Sequence, residues 1–294
     1  MNYCEGKEML DVLSIGEVLV DLKLIDKKLS MHTGGSCLNV AFYASQAGAK
    51  ASFIGTIGND FLGTYIRREL ERLNFRPALS VTHHNTTLVL IKTEKETPIP
   101  IIYRGADRFI TRELLEEKWK DAKIVHTSAF ALSLPPSQEA ILDALREAKE
   151  EGALISVDPN YRKAIWERWG ADKRALLEAI SLADFVKPSM DDAKELFGSK
   201  DPIDALRNFK RLGAKNVILS MGAKGVLALM EEGEYIRVLA RNADVVDPTG
   251  AGDSLLGTVL AKLSKGHDME EAINSGVEVA SRVVSEEGTL VKVR

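Results

Sequence analysis

The stretch Val245–Leu256, VVDPTGAGDSLL, decides how this chain is read. Two β-branched residues run into Asp247-Pro248, which turn the chain. Thr249-Gly250-Ala251-Gly252 follow with almost no side-chain bulk, and Asp253 opens an apolar-striped helix. Such a segment is a bare backbone loop at a helix N-terminus. Its free N–H groups and the positive end of the helix dipole attract an anion, and the small residues let a phosphate reach the backbone. A carboxylate in that place should repel the anion. Asp253 therefore reads either as a base for the group that attacks the anion, kept ionised by the dipole, or as a residue that only caps the helix.

Other phosphate and catalytic signatures fail. For a dinucleotide-binding GxGxxG the third glycine would fall at Leu255, and no strand follows the helix to complete the βαβ unit. The sequence contains no GxxxxGK[ST], GxSxG, HExxH or CxxC. Its 294 residues carry a formal charge of -4 with the signs interspersed, so no basic block exists to track nucleic acid. No apolar run is long enough for a membrane span, and the N-terminus MNYCEGKEML lacks a signal-peptide core, so a cytoplasmic protein is expected. Cys4 and Cys37 have neither a disulfide framework nor metal-ligand spacing, and both read as reduced.

Around the loop the chain alternates strand and helix. Asp11–Asp21 reads as a buried strand broken by Gly16, with Glu17 and Asp21 at the end that reaches a site. A Gly34-Gly35 turn then leads into a helix with Asn39 in its first turn. A second strand and helix follow, but 76–104 holds short β-prone pieces with no helix between them. With the stretch around Leu22 to Ser30 they predict a small antiparallel sheet, a lid. From Thr111 the alternation resumes, beginning with a helix TRELLEEKW, and its strand ends carry Asp158–Arg162, Lys187–Asp192 and Ser220–Gly222. The expectation is one α/β domain over 1–294, a doubly wound, mostly parallel sheet flanked by helices, with lid segments at about 21–33 and 76–106.

Four segments, GGSCLNVA at 34–41, GNDFLG at 58–63, DPNYR at 158–162 and DPTGAGDS at 247–254, resemble in order and spacing the ribokinase-like carbohydrate kinases of the phosphofructokinase B type. The resemblance implies ATP-dependent transfer of a phosphoryl group to a sugar hydroxyl. It makes Asp253 the base and Gly250, Ala251 and Gly252 the amides that hold the γ-phosphoryl. It assigns Asp21, Gly35 and Asn39 to the sugar, Arg104 to the closing lid, and Arg162 to either ligand. Ser220 and Gly222 would line the nucleotide, and Asp247 and Thr249 would belong to a loop that binds a monovalent cation, K⁺. A family NxxE element, whose Glu orients water around Mg²⁺, is replaced here by Ser189 and Asp192.

Within the family the chain is most similar to fructokinases, through its Gly-Gly turn, Tyr103-Arg104, and Trp166 soon after DPNYR. A 2-keto-3-deoxygluconate kinase is the alternative, although such enzymes place a Tyr two residues before the lid Arg, where Ile102 stands here. A non-catalytic sugar- or nucleotide-binding relative is the reading from another class. Expected partners are a small sugar and, through the lid, a second copy of the chain, with no nucleic acid and no membrane.

Overall fold

The computed structural model describes residues 9–25, 27–92 and 100–293; Cys4 lies outside them. The first half of the chain forms β1 (Leu10–Ile15), β2 (Leu19–Ile25), β3 (Lys28–Gly34), α1 (Ser36–Gln46), β4 (Ala51–Gly58), α2 (Phe61–Arg72), β5 (Ala78–Thr82), β6 (Leu88–Lys92) and β7 (Ile101–Tyr103). The middle contributes α3 (Arg112–Leu115), β8 (Ala122–Ser128), α4 (Ser137–Glu150), β9 (Leu154–Asp158), α5 (Lys163–Trp169), α6 (Arg174–Leu182) and β10 (Phe185–Val186). Then come α7 (Met190–Phe197), α8 (Pro202–Arg211), β11 (Asn216–Ser220), β12 (Val226–Leu229), β13 (Tyr235–Val238), α9 (Ala251–Ser264) and α10 (Met269–Val283).

The large sheet runs β13-β12-β11-β10-β9-β8-β1-β4-β5, parallel from β11 to β5 and closed at one edge by the antiparallel β12–β13 hairpin. Strand pleating sends alternate residues to opposite faces. Leu13 and Ile15 pack with Ile141, Leu145, Ile180 and Phe209 on one side, while Val12 packs with Val40, Leu256, Val259 and Ile273 on the other. Both faces are therefore covered by helices, as the near-continuous apolar strands require. The chain goes from β1 outward to β4 and β5, then returns to β8 and proceeds the other way. That reversal opens a crevice at the C-terminal strand ends, where ligands of such sheets bind.

Three elements differ from the sequence expectation. Asp11–Asp21 is two strands: β1 ends at Ile15, and β2 begins at Leu19 in a separate sheet of order β3-β2-β6-β7. Gly16 marks the crossing, pressed so closely on α1 that a Cβ there would lie 2.3 Å from Cys37 Sγ. Secondly, β5 pairs in parallel with β4, with α2 as the crossover, so among the described residues of 76–106 the lid takes β6 and β7, while 93–99 lie outside the described residues. The small sheet is also mixed, with β2 parallel to β6 and antiparallel to β3. Thirdly, the helix begun at Arg112 stops at Leu115. Glu116 and Glu117 adopt positive φ (46° and 54°) and redirect the chain so that Trp119 is buried in the core.

Candidate active site

Two helices bring the site together. α1 and α9 pack closely because Gly257 has no side chain: a Cβ there would stand 2.4 Å from the Val40 carbonyl oxygen. Their N-termini consequently meet. Asp253, in the first turn of α9, accepts hydrogen bonds from Ser36 Oγ (2.8 Å, at Oδ1) and Asn39 Nδ2 (2.7 Å, at Oδ2), both from the first turn of α1. A carboxylate offers about four acceptor positions, so roughly two of those on Asp253 stay open to a hydroxyl. Burial pushes its pKa up, opposed by the Asn39 bond, the Lys187 charge and the Ser36 bond.

The loop before Asp253 is built from backbone. Gly250 caps α9 at φ 84°, a left-handed conformation that suits glycine, and its α-carbon faces the Thr289 carbonyl, 3.0 Å from where a Cβ would be. Ala251 N–H makes a long 3.4 Å bond to the Pro248 carbonyl, while the N–H groups of Gly252 and Asp253 have no acceptor among the described residues. Free donors at a helix N-terminus are the elements of an anion hole. Lys187, directly after β10, adds a positive charge beside them. Its ammonium lies 2.8 Å from where a Cβ on Gly252 would stand, and 2.9 Å from Asp158 Oδ2 at the end of β9. Burial works to strip the Lys187 proton, but the carboxylates of Asp158, Asp253 and Asp192 outweigh it and hold the ammonium above the ordinary lysine range.

Asp21 approaches from β2. It is buried, and among the described residues none donates a hydrogen bond to it. A Cβ on Gly34 would lie 2.4 Å from its Oδ2, so the first glycine of the doublet makes room for this carboxylate; the second, Gly35, lies against the Glu17 backbone. Burial pushes the Asp21 pKa up to about 7, eased by Lys23 and reinforced by Asp247 and Asp253. Glu17, beside it in sequence, is also buried rather than solvated, accepting from Cys37 N–H (3.3 Å) and Ser128 Oγ (2.8 Å).

Arg104 follows β7 and crosses to the main body. Its guanidinium pairs with buried Asp107, donates to Ser133 Oγ (2.8 Å), and lies over the rings of Phe130 (4.1 Å) and Trp169 (4.7 Å). Asp192 is likewise occupied. One oxygen receives Ser189 N–H and Oγ–H (2.7 and 2.6 Å), the other Tyr161 N–H (2.7 Å) and Arg162 Nη1 (3.2 Å). This capping box starts α7 and ties the 158–162 loop to it. Arg162 remains 43 % exposed. Ser220 ends β11 against the Pro188 carbonyl, and Gly222 is exposed with open space where a Cβ would be, so both border the same edge of the sheet.

Residues 285–291 brace this arrangement. Thr289 donates its hydroxyl to the Thr33 carbonyl (2.7 Å) and its carbonyl accepts from Tyr43 Oη (2.8 Å), while Gly288 N–H donates to Asp247 (3.1 Å). Ser36 and Lys187 were not singled out from sequence. Ser36 sits inside the Gly-Gly turn, and Lys187 is a charged residue ending the apolar run DFVK, a placement unusual enough to mark a buried cation.

The family model described as pfkB family carbohydrate kinase matches residues 9–293. The chain belongs to this family. The kinase is 32% identical to an ATP-dependent 6-phosphofructokinase of Thermoanaerobacterium thermosaccharolyticum, over 96% of this chain and 90% of the relative. The structure of Halothermothrix orenii fructokinase superposes with a TM-score of 0.80 at 32% identity, covering 92% of this chain and 98% of that one. Aminoimidazole riboside kinase from Salmonella enterica, solved with aminoimidazole riboside and an ATP analog, gives 0.83 at 26% identity over 95% of each chain. No described helix of the kinase is long and apolar enough to cross a membrane.

Proposed function

We propose that the chain transfers the γ-phosphoryl of ATP to a hydroxyl of a neutral sugar, with fructose as the first substrate. The observation that carries this reading is the carboxylate of Asp253, half satisfied by α1 and set one residue after an anion loop with free amides. In use, Asp253 takes the proton of the attacking hydroxyl, and Ser36 and Asn39 hold it in place. Gly252 and Asp253 N–H groups and the Lys187 ammonium stabilise the charge on the phosphoryl oxygens. Asp21 accepts hydroxyls of the sugar, and Ser220 and Gly222 border the nucleotide. Two relatives described with ATP or an ATP analog support that donor.

Magnesium, if bound, would shield the nucleotide's phosphates. Asp192 does not fit the role of orienting water around it, because all four acceptor positions of its carboxylate already hold donors. Among the described residues there is also no cluster of three potential metal-binding side chains. Asp192 is then an anchor for the 158–162 loop.

Charge separates the substrates. Lys23 and Arg104, the lid cations, are each paired with a carboxylate, Asp247 and Asp107 respectively, so neither offers an unpaired charge to an anionic sugar. An acid such as 2-keto-3-deoxygluconate gains little from such an arginine. The 6-phosphofructokinase relative favours a second reading, in which the acceptor is fructose 6-phosphate. Steady-state kinetics on fructose, fructose 6-phosphate and 2-keto-3-deoxygluconate decide it: the highest kcat/KM is expected for fructose, and a higher value on either anionic sugar overturns the neutral-sugar reading. Pairing of two copies through the lid would use Leu29, Ile101 and Tyr103, which are exposed on the small sheet.

Asp21 gives a pH signature. The ionised form accepts hydroxyls at both oxygens, whereas lowering the pH through about 7 turns one oxygen into a donor and weakens both bonds, so kcat/KM for the sugar should fall. Asp21→Ala should raise KM for the sugar by about tenfold or more, at roughly 1–3 kcal/mol per unpaired hydroxyl, while KM for ATP hardly moves. Equal changes in both constants would remove Asp21 from the sugar site.

A further inference from the structure

Asp247 and Thr249 are the positions at which the resemblance puts a monovalent cation, and the residues present do not fit one. The Asp247 carboxylate is already saturated. Its Oδ1 accepts from Thr249 N–H (3.0 Å) and Thr249 Oγ–H (2.6 Å), and its Oδ2 from Gly288 N–H (3.1 Å) and the ammonium of Lys23. A carboxylate has about four such positions, so none is left for an ion. The same ammonium stands 3.2 Å from Thr249 Oγ1, touching both side chains of the would-be cation site. Lys23 and Asp247 are buried, which shields their pairing from solvent ions.

We propose that Lys23 is a tethered monovalent cation: its ammonium, delivered on lid strand β2, supplies permanently the charge that K⁺ would lend to the phosphate loop. An ammonium carries the same single charge as K⁺, and three N–H donors bind oxygen acceptors as an ion's coordination does. Here it neutralises Asp247 immediately before Gly250–Gly252, so the loop presents its amides without a net negative charge behind them. Because β2 also carries Asp21 on the same face, two residues earlier, one strand places both the sugar carboxylate and the loop's counter-charge. This arrangement needs no exchangeable ion.

The inference rests on the kinase reading, and thermal melting separates the two because it needs no turnover. With choline chloride as the ionic-strength control, the wild type should melt and turn over alike in K⁺, Na⁺ and choline. Lys23→Met keeps the apolar stem and removes the charge. It should melt lower than the wild type, gain a K⁺- or NH₄⁺-specific rise in Tm, and recover turnover by about tenfold or more when K⁺, NH₄⁺ or methylammonium is added. Stimulation of the wild type by K⁺ of about tenfold over choline, or a K⁺-specific rise in its Tm, overturns the proposal. So does a Lys23→Met protein that is fully active in choline, or one that no cation restores. If Lys23→Met does not fold, the wild-type comparison alone decides.

Discussion

Asp253→Asn is expected to lower kcat by about 10² or more while ATP still binds. The substitution is nearly isosteric, and the surrounding bonds can adjust: the Ser36 hydroxyl can turn to accept from the new amide while Asn39 Nδ2 donates to the remaining oxygen. What the amide cannot do is take the proton of the sugar hydroxyl. The loss should therefore fall on the chemical step, with the melting temperature little changed. Steady-state kinetics paired with calorimetric titration of ATP check it, and a near-normal kcat would take Asp253 out of the catalytic role. The wild type should also lose kcat in acid, since burial raises the pKa of Asp253 and protonation abolishes the base.

Gly252→Val should reduce turnover by about 10²–10³ or more, the scale on which oxyanion donors act. The glycine matters here for space. A Cβ at this position would stand 2.8 Å from Lys187 Nζ, so the new side chain must displace that ammonium and would also fill the hollow where phosphate oxygens meet the amides of Gly252 and Asp253. Lys187 is buried against Asp158, so pushing it aside also disturbs that pair, and a modest fall in Tm should accompany the kinetic loss. A folded variant with full activity would sink the anion-hole assignment.

The alternating strands and helices, the bare loop at 249–252 and the helix start beside Asp253 were legible because each rests on local pattern: apolar periodicity, small residues, a helix start. The split at Gly16 was not, since a run of Val, Leu and Ile reads the same whether it stays in one sheet or crosses to another. Nor was the pairing of β5 with β4, because periodicity does not say which neighbour a strand will choose. The state of the charged residues was the least visible. Asp192, Arg104 and Asp247 stand in the expected segments, yet their engagement by Ser189, Asp107 and Lys23 depends on contacts that motif spacing does not encode. Lys23 lies 224 positions from the carboxylate it neutralises.

That separation has a consequence for how the protein comes into being on the ribosome. Asp253 is joined to Ser36 and Asn39 across 217 and 214 positions, and Thr289 to Thr33 across 256. The segments that carry Asp21, Ser36 and Asn39 therefore leave the ribosome well before those that carry Gly250–Asp253 and Thr289. Even β1 lies between β4 and β8, so the centre of the sheet waits for residues 122–128. A nascent chain that has not yet extruded 247–289 would expose the apolar stripe of α1 that α9 covers, which makes the half-made protein a natural client for chaperones. Asp253 can meet Ser36 and Asn39 only after α9 has left the exit tunnel, and a chain terminated before residue 247 should be a sticky species that lacks Asp253.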